Sequence, residues 1–207
     1  MEFNSIDFGV FLALVFLLYW FVLNKSSSRQ NLLLAVASAV FYGWWNWKFL
    51  SLLFISSGIG FIAGIALSSR SSKTERKAIL TVGILAHLSL LGFFKYFNFF
   101  IHNVARGFQF LGLDIQINHL QILLPVGISF FTFQSISYLI DVYRRQVQAT
   151  KDPIAFFAFV AFFPQLVAGP IERASRLLPQ MTRLRKFDSA SAIDGARLLL
   201  WGLFKKV

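Results

Sequence analysis

Residues Leu124 to Tyr143 read LPVGISFFTFQSISYLIDVY, an apolar stretch broken at its start by a proline and a glycine and carrying polar groups along its length. Wound as a helix, it places Gln134, Ser137, Tyr138 and Asp141 at i, i+3, i+4 and i+7, on one face. Phe130, Phe131, Phe133, Ile136 and Ile140 cover much of the remainder. A polar stripe on so apolar a helix belongs in a bundle interior or beside a water-filled path, because lipid offers it no partner. Two readings of the stripe stand. It forms interhelical hydrogen bonds that set packing, at about 0.6 to 2 kcal/mol per contact, or it lines a site.

The rest of the chain supplies the bundle. Of 207 residues, 57% are hydrophobic, 17% aromatic and 14% charged, too apolar for a water-soluble domain of this length. The length allows about five spans of roughly 20 residues in one membrane domain. They are expected near residues 5–23, 31–45, 49–67, 78–101 and 120–143, giving an all-α fold, a multi-pass transmembrane helix bundle. Tyr19 and Trp20 end the first span, and Trp44, Trp45 and Trp47 the second, as interfacial rings do. Val104 to His119 reads as a mixed outer segment. The net charge of +11 comes from short basic clusters between apolar runs, which fits loops beside membrane lipid and not nucleic acid. Arg70, Lys73, Arg76 and Lys77 outnumber Glu75 in the loop from Ser68 to Lys77, which the positive-inside rule assigns to the cytoplasm. Counting back, the Lys25/Arg29 turn is expected inside, and the Trp44/Trp47 turn and the N-terminus outside. Glu2 and Asp7, with no base beside them, lack a signal peptide's positive region, so the first helix is expected to be retained.

A second cluster lies downstream. The run from Pro153 to Gly169 has Arg144, Arg145 and Lys151 before it and Arg173, Arg176, Arg183, Arg185 and Lys186 after it. Positive charge on both flanks opposes a crossing, and Pro164-Gln165 and Gly169-Pro170 interrupt the run. Residues 153–170 are therefore expected to form a re-entrant cytoplasmic element. Broken backbone at membrane depth persists only inside protein or beside water, since unsatisfied amides in lipid cost several kcal/mol each. Free backbone groups around Pro164, Gln165 and Gly169 could take a polar ligand, with Glu172 and Arg173 fixing the loop as an ion pair. The alternative is a surface turn with a solvated charge pair. Residues 189–206 read as an interfacial helix capped by Ser189 or Ser191, with too few apolar residues to span.

Chemistry is sparse elsewhere. There is no cysteine, hence no disulfide or thiol nucleophile, and the scattered acids suggest no metal site. His87 in the fourth span reads as a buried neutral side chain bonded to a neighbouring helix, and Lys95 as snorkelling or lining a cavity. His102 and His119 read as interfacial.

Together, residues 124–143 and Phe162 to Arg173, FFPQLVAGPIER, resemble two motifs of the membrane-bound O-acyltransferase (MBOAT) family, specifically its bacterial alginate O-acetylation branch. Phe94-Lys95-Tyr96 and Gly202-Leu203-Phe204-Lys205-Lys206 resemble that branch too, and the likeness spans essentially the whole chain. The resemblance implies an acyltransferase of the bacterial inner membrane. The acyl donor, acetyl-CoA or an acyl carrier, acts as substrate from the cytoplasmic side, with no bound cofactor. The acceptor is a hydroxyl of an exported polysaccharide such as alginate, reached through partner acetylation proteins. Gln134, Ser137, Tyr138 and Asp141 would line the tunnel, and Pro164, Gln165, Glu172 and Arg173 would shape its cytoplasmic mouth. The family's catalytic histidine matches none of His87, His102 or His119, so this chain alone is expected to be the N-terminal part of such an enzyme and inactive. A solute transporter or channel, and a non-catalytic scaffold of a polysaccharide-modification complex, are the alternatives.

Overall fold

A computed structural model describes residues 5–110, 123–166, 169 and 172–206. These residues form nine α-helices and no strand: α1 (Ile6–Leu17), α2 (Ser27–Asn46), α3 (Leu50–Ser69), α4 (Lys73–Phe110), α5 (Ile128–Tyr143), α6 (Pro153–Val160), α7 (Phe163–Leu166), α8 (Ala174–Thr182) and α9 (Ser189–Lys206). Two runs, Ser27–Ser69 and Lys73–Phe110, are long and apolar enough to cross a membrane, and Ile6–Val22 and Pro153–Leu166 are shorter apolar helices.

The helix boundaries have local causes. Ser5 caps α1 by accepting the Phe8 amide at 3.1 Å, and α1 runs on into a π turn, Leu18–Val22. Between α2 and α3 the Asn46 side chain accepts the Lys48 amide at 3.0 Å, capping a tight 3-10 turn, Trp47–Phe49. α4 takes in the basic turn at Lys73, Arg76 and Lys77 and extends to Phe110, beyond both ends expected from hydropathy. Its first turn is held because buried Arg76 reaches the last carbonyls of α5. α5 begins only at Ile128, because Gly127 adopts φ +77°, a left-handed conformation that ends any helix entering from Leu120. Residues 120–122 lie outside the described residues, as do Met1 to Asn4 and most of the expected outer segment, including His119.

The expected interruption at Pro164-Gln165 falls earlier, at Ala161 and Phe162. Pro164 then sits in the first turn of α7, where its missing N–H is no loss. Helix α8 was not legible, since Pro179 lies within it. Asp188, not Ser189 or Ser191, caps α9, accepting the Ser191 amide at 3.0 Å. The Ser191 hydroxyl and amide hold that carboxyl below the usual carboxylate range.

α5 lies at the centre, packed against α3 and α4 on one side and α6 and α8 on the other. Small residues permit the close approach: a Cβ added to Gly64 would lie 2.6 Å from the Tyr138 ring, and one on Gly83 2.8 Å from Leu139. Many apolar side chains point outward instead, among them Val10, Phe54, Ile62 and Val82. In water such a surface would be costly; against lipid it costs nothing.

Candidate functional site

Helix α2 carries both motif segments. One turn apart on its inner face, Ser38 and Tyr42 are buried and reach in different directions. The Ser38 hydroxyl accepts the Phe163 amide at 3.2 Å, satisfying an orphan N–H at the start of α7. The Tyr42 hydroxyl donates to the Val126 carbonyl at 3.0 Å, fixing the turn that launches α5. Gly127 then packs directly on the end of α7, where an added Cβ would stand 2.6 Å from the Leu166 carbonyl oxygen. The two segments therefore meet at residues 126–127 and 163–166.

Along α5, Gln134, Tyr138 and Asp141 are buried and Ser137 is half-buried. Tyr138 sits over Gly64, against the rings of Phe156 at 4.8 Å and Phe159 at 6.2 Å. Its hydroxyl has no hydrogen-bond partner among the described residues. Gln134 is only 2% exposed, yet among the described residues neither its amide nitrogen nor its amide oxygen has a hydrogen-bond partner. The same is true of the hydroxyls of Thr132, Ser135, Ser56 and Ser57 and of one carboxylate oxygen of Asp141. Ser56 lies one turn from Gly60 on α3, and a Cβ built on Gly60 would be 3.5 Å from that of Ser135, so several of these hydroxyls share the α3/α5 interface. An unpaired buried polar group costs about 1–3 kcal/mol.

Cations of α4 stand at both ends of α5. Arg76 donates to the Val142 and Tyr143 carbonyls at 3.0 and 2.8 Å and lies over the Tyr143 ring, where it complements the helix C-terminus. Lys95 reaches the Ser129 hydroxyl at 3.5 Å in the first turn.

In the second cluster, exposed Pro164 borders a cavity of about 280 Å³ walled by residues of α1, α2, α7 and α8, with Gln180 and Arg185 among its few polar residues. Gln165 is half-buried and its carbonyl accepts the Gly169 amide at 3.1 Å. Glu172 and Arg173 make no ion pair with each other among the described residues; the Arg173 carbonyl instead starts α8, accepting the Arg176 and Leu177 amides. Val167, Ala168, Pro170 and Ile171 lie outside the described residues. No hydrogen bond joins Gln134 to Gln165.

Several residues of the site gave no motif in sequence. Arg185 donates to the Asn31 side chain at 2.6 Å, the Ser27 carbonyl at 3.2 Å and the Gln30 side chain at 3.3 Å, and lies over the Tyr19 ring. Asn31 in turn donates to the Met181 carbonyl at 2.7 Å. This network ties the α8–α9 linker to the start of α2. Two adjacent amide side chains, Gln30 and Asn31, opening an apolar helix were the available signal. His87 is buried, with Nδ1 2.8 Å from the Gly83 carbonyl on its own helix and Nε2 3.2 Å from that of Ser56 on α3. His102 is exposed. Among the described residues no group of three or more potential metal ligands converges.

No family model matches the chain, and no solved structure does. Relatives do. The chain is 39% identical over 181 residues to a protein of Pseudomonas syringae named probable alginate O-acetylase, matching 86% of this chain and 34% of that protein. It is 38% identical over 211 residues to a protein of the same name from Azotobacter vinelandii, matching 100% of this chain and 41% of that protein. A peptidoglycan O-acetyltransferase of Helicobacter pylori is 34% identical over 209 residues, matching 88% and 39%. The chain thus spans well under half the length of these relatives. With both motif segments inside the matched region and joined in space through α2, the chain is similar over nearly its whole length to a part of each of these O-acetylating proteins.

Proposed function

We propose that the chain forms part of a membrane-bound O-acetyltransferase, that Gln134, Ser137, Tyr138 and Asp141 line its acyl tunnel, and that Pro164, Gln165, Glu172 and Arg173 shape the cytoplasmic mouth. The unpaired, buried amide of Gln134 carries this reading. A side chain serving only to pack helices would have found its hydrogen bonds within the bundle. An amide with both ends free in an apolar interior suits a polar guest: a thioester carbonyl, an acceptor hydroxyl, or the water they displace.

In the proposed transfer, the acceptor hydroxyl oxygen attacks the donor's acetyl carbonyl. A C–O bond forms, the donor's C–S bond breaks, and the thiolate leaves. The Gln134 N–H would donate to the carbonyl oxygen as charge develops on it. The hydroxyl proton needs a base, and His87 is unsuited to that task because both ring nitrogens already face backbone carbonyls. The base is therefore assigned to the larger protein of which these residues are part, and residues 1–207 alone are expected to be inactive.

The proposed setting is the bacterial inner membrane, with several crossings, the N-terminus outside, and the basic turns at Lys25/Arg29 and Arg70–Lys77 in the cytoplasm. Residues 153–170 enter and leave from that side. The donor is acetyl-CoA or an acyl carrier, and the acceptor is an exported polysaccharide, alginate or peptidoglycan being the choices named by the relatives. The test is Gln134→Ala and Gln165→Ala in the complete protein, expressed with its export partners. Acetyl content of the polysaccharide should fall to background at unchanged protein level; unchanged acetylation would return both residues to packing.

A further inference from the structure

A groove of about 410 Å³ runs between α2, α3 and α6 and touches the site described above at Ser57 and Phe156. Leu32, Val36, Phe54, Gly58 and Ile154 are among the residues lining it, and Leu32, Val36 and Phe54 are each about half exposed. Its floor is firm, since the Phe54 and Phe157 rings stack at 4.5 Å and Phe61 packs on Phe156. The stretch of α2 from Leu32 to Ala39 makes it about 10 Å long at a rise of about 1.5 Å per residue. An open slot of this length with an almost wholly apolar lining suits an extended hydrocarbon chain.

Its inner end is basic. Arg29 stands at i−3 and i−7 from Leu32 and Val36, on the groove face one turn beyond its end. Lys151 lies two residues before Pro153, which also lines the groove. Both cations are exposed, and neither forms an ion pair among the described residues. An apolar slot ending in two cations is complementary to a hydrocarbon chain ending in a phosphate diester.

We infer that this groove is a binding site for an anionic phospholipid of the surrounding bilayer, one acyl chain lying against α2, α3 and α6 and the phosphate held by Arg29 and Lys151. The inference rests on the membrane-spanning reading.

The test is lipid retention. The full chain is expressed in membranes containing phosphatidylglycerol and phosphatidylethanolamine and extracted in mild detergent, and bound lipid is counted by native mass spectrometry. About one phosphatidylglycerol per chain should be retained. A Cβ at Gly58 meets nothing within 4 Å, so Gly58→Leu should fill the slot without disturbing the fold and abolish retention several-fold or more. Arg29→Ala with Lys151→Ala should keep a bound lipid but erase the preference for phosphatidylglycerol. Retention unchanged in Gly58→Leu, or no headgroup preference in the unaltered chain, overturns the inference. Release of the chain from membranes by alkaline carbonate overturns the membrane reading beneath it, a separate outcome that phospholipid counting does not touch.

Discussion

Gln134 and Gly64 sit on facing helices and answer to opposite constraints. An amide with no partner is a desolvation cost that the fold does not recover, so Gln134→Leu should leave stability unchanged or raise it by up to about 3 kcal/mol while abolishing acetyl transfer in the complete protein. Thermal unfolding in detergent checks the first half, and a fall in Tm would mean that the amide supports packing after all. Gly64 has no such freedom. Gly64→Ala would drive a methyl group to 2.6 Å from the buried Tyr138 ring and should destabilise by about 1–3 kcal/mol, whereas Gly58→Ala, which meets nothing, should not. The helical period of residues 128–143 was enough to find which side chains share a face. It could not tell that Gln134 lacks a partner among the described residues, because that depends on which helices pack against this face, and a helical period does not disclose them.

Among the elements, the linker between α8 and α9 depends on one guanidinium. Arg185 spreads its donors over Ser27, Gln30 and Asn31, a fork that an ammonium cannot reproduce. Arg185→Lys should therefore free the segment that follows, where Phe187 packs on Phe16, Trp20 and Phe21. Limited chymotrypsin digestion should then cut at Phe187 several-fold faster, and an unchanged rate would mean that the aromatic contacts suffice alone. The elements themselves were unevenly legible. Hydropathy found the apolar cores of α1 to α4, but the basic turn at Lys73–Lys77 reads as loop until Arg76 is seen reaching α5. α8 was hidden by Pro179, a residue that ordinarily ends helices.

At the scale of the molecule, the proposed topology is open to a clean experiment because the chain contains no cysteine. Ser71→Cys, between α3 and α4, should react with impermeant maleimide only after the inner membrane is opened, and Lys48→Cys, between α2 and α3, should react in intact cells whose outer barrier is made permeable. The reverse pattern would invert every loop assignment at once. Charge along the chain suggested which loops share a side, but nothing in the spacing disclosed that Ser38 and Tyr42 of one early helix hold two segments that come much later. Those bonds span 125 and 84 residues. At a synthesis rate of about 5–20 residues per second, the two hydroxyls wait roughly 4 to 25 s in the membrane before Val126 and Phe163 are made. During that interval the Ser38 hydroxyl can turn back to a carbonyl one turn earlier on its own helix, whereas the Tyr42 hydroxyl, held away from its own backbone by the ring, needs water or another partner. Helix α2 is thus a template laid down first, and the order of synthesis dictates the order of assembly: neither motif can dock until the strand of chain that carries it has been delivered to hydroxyls already in place.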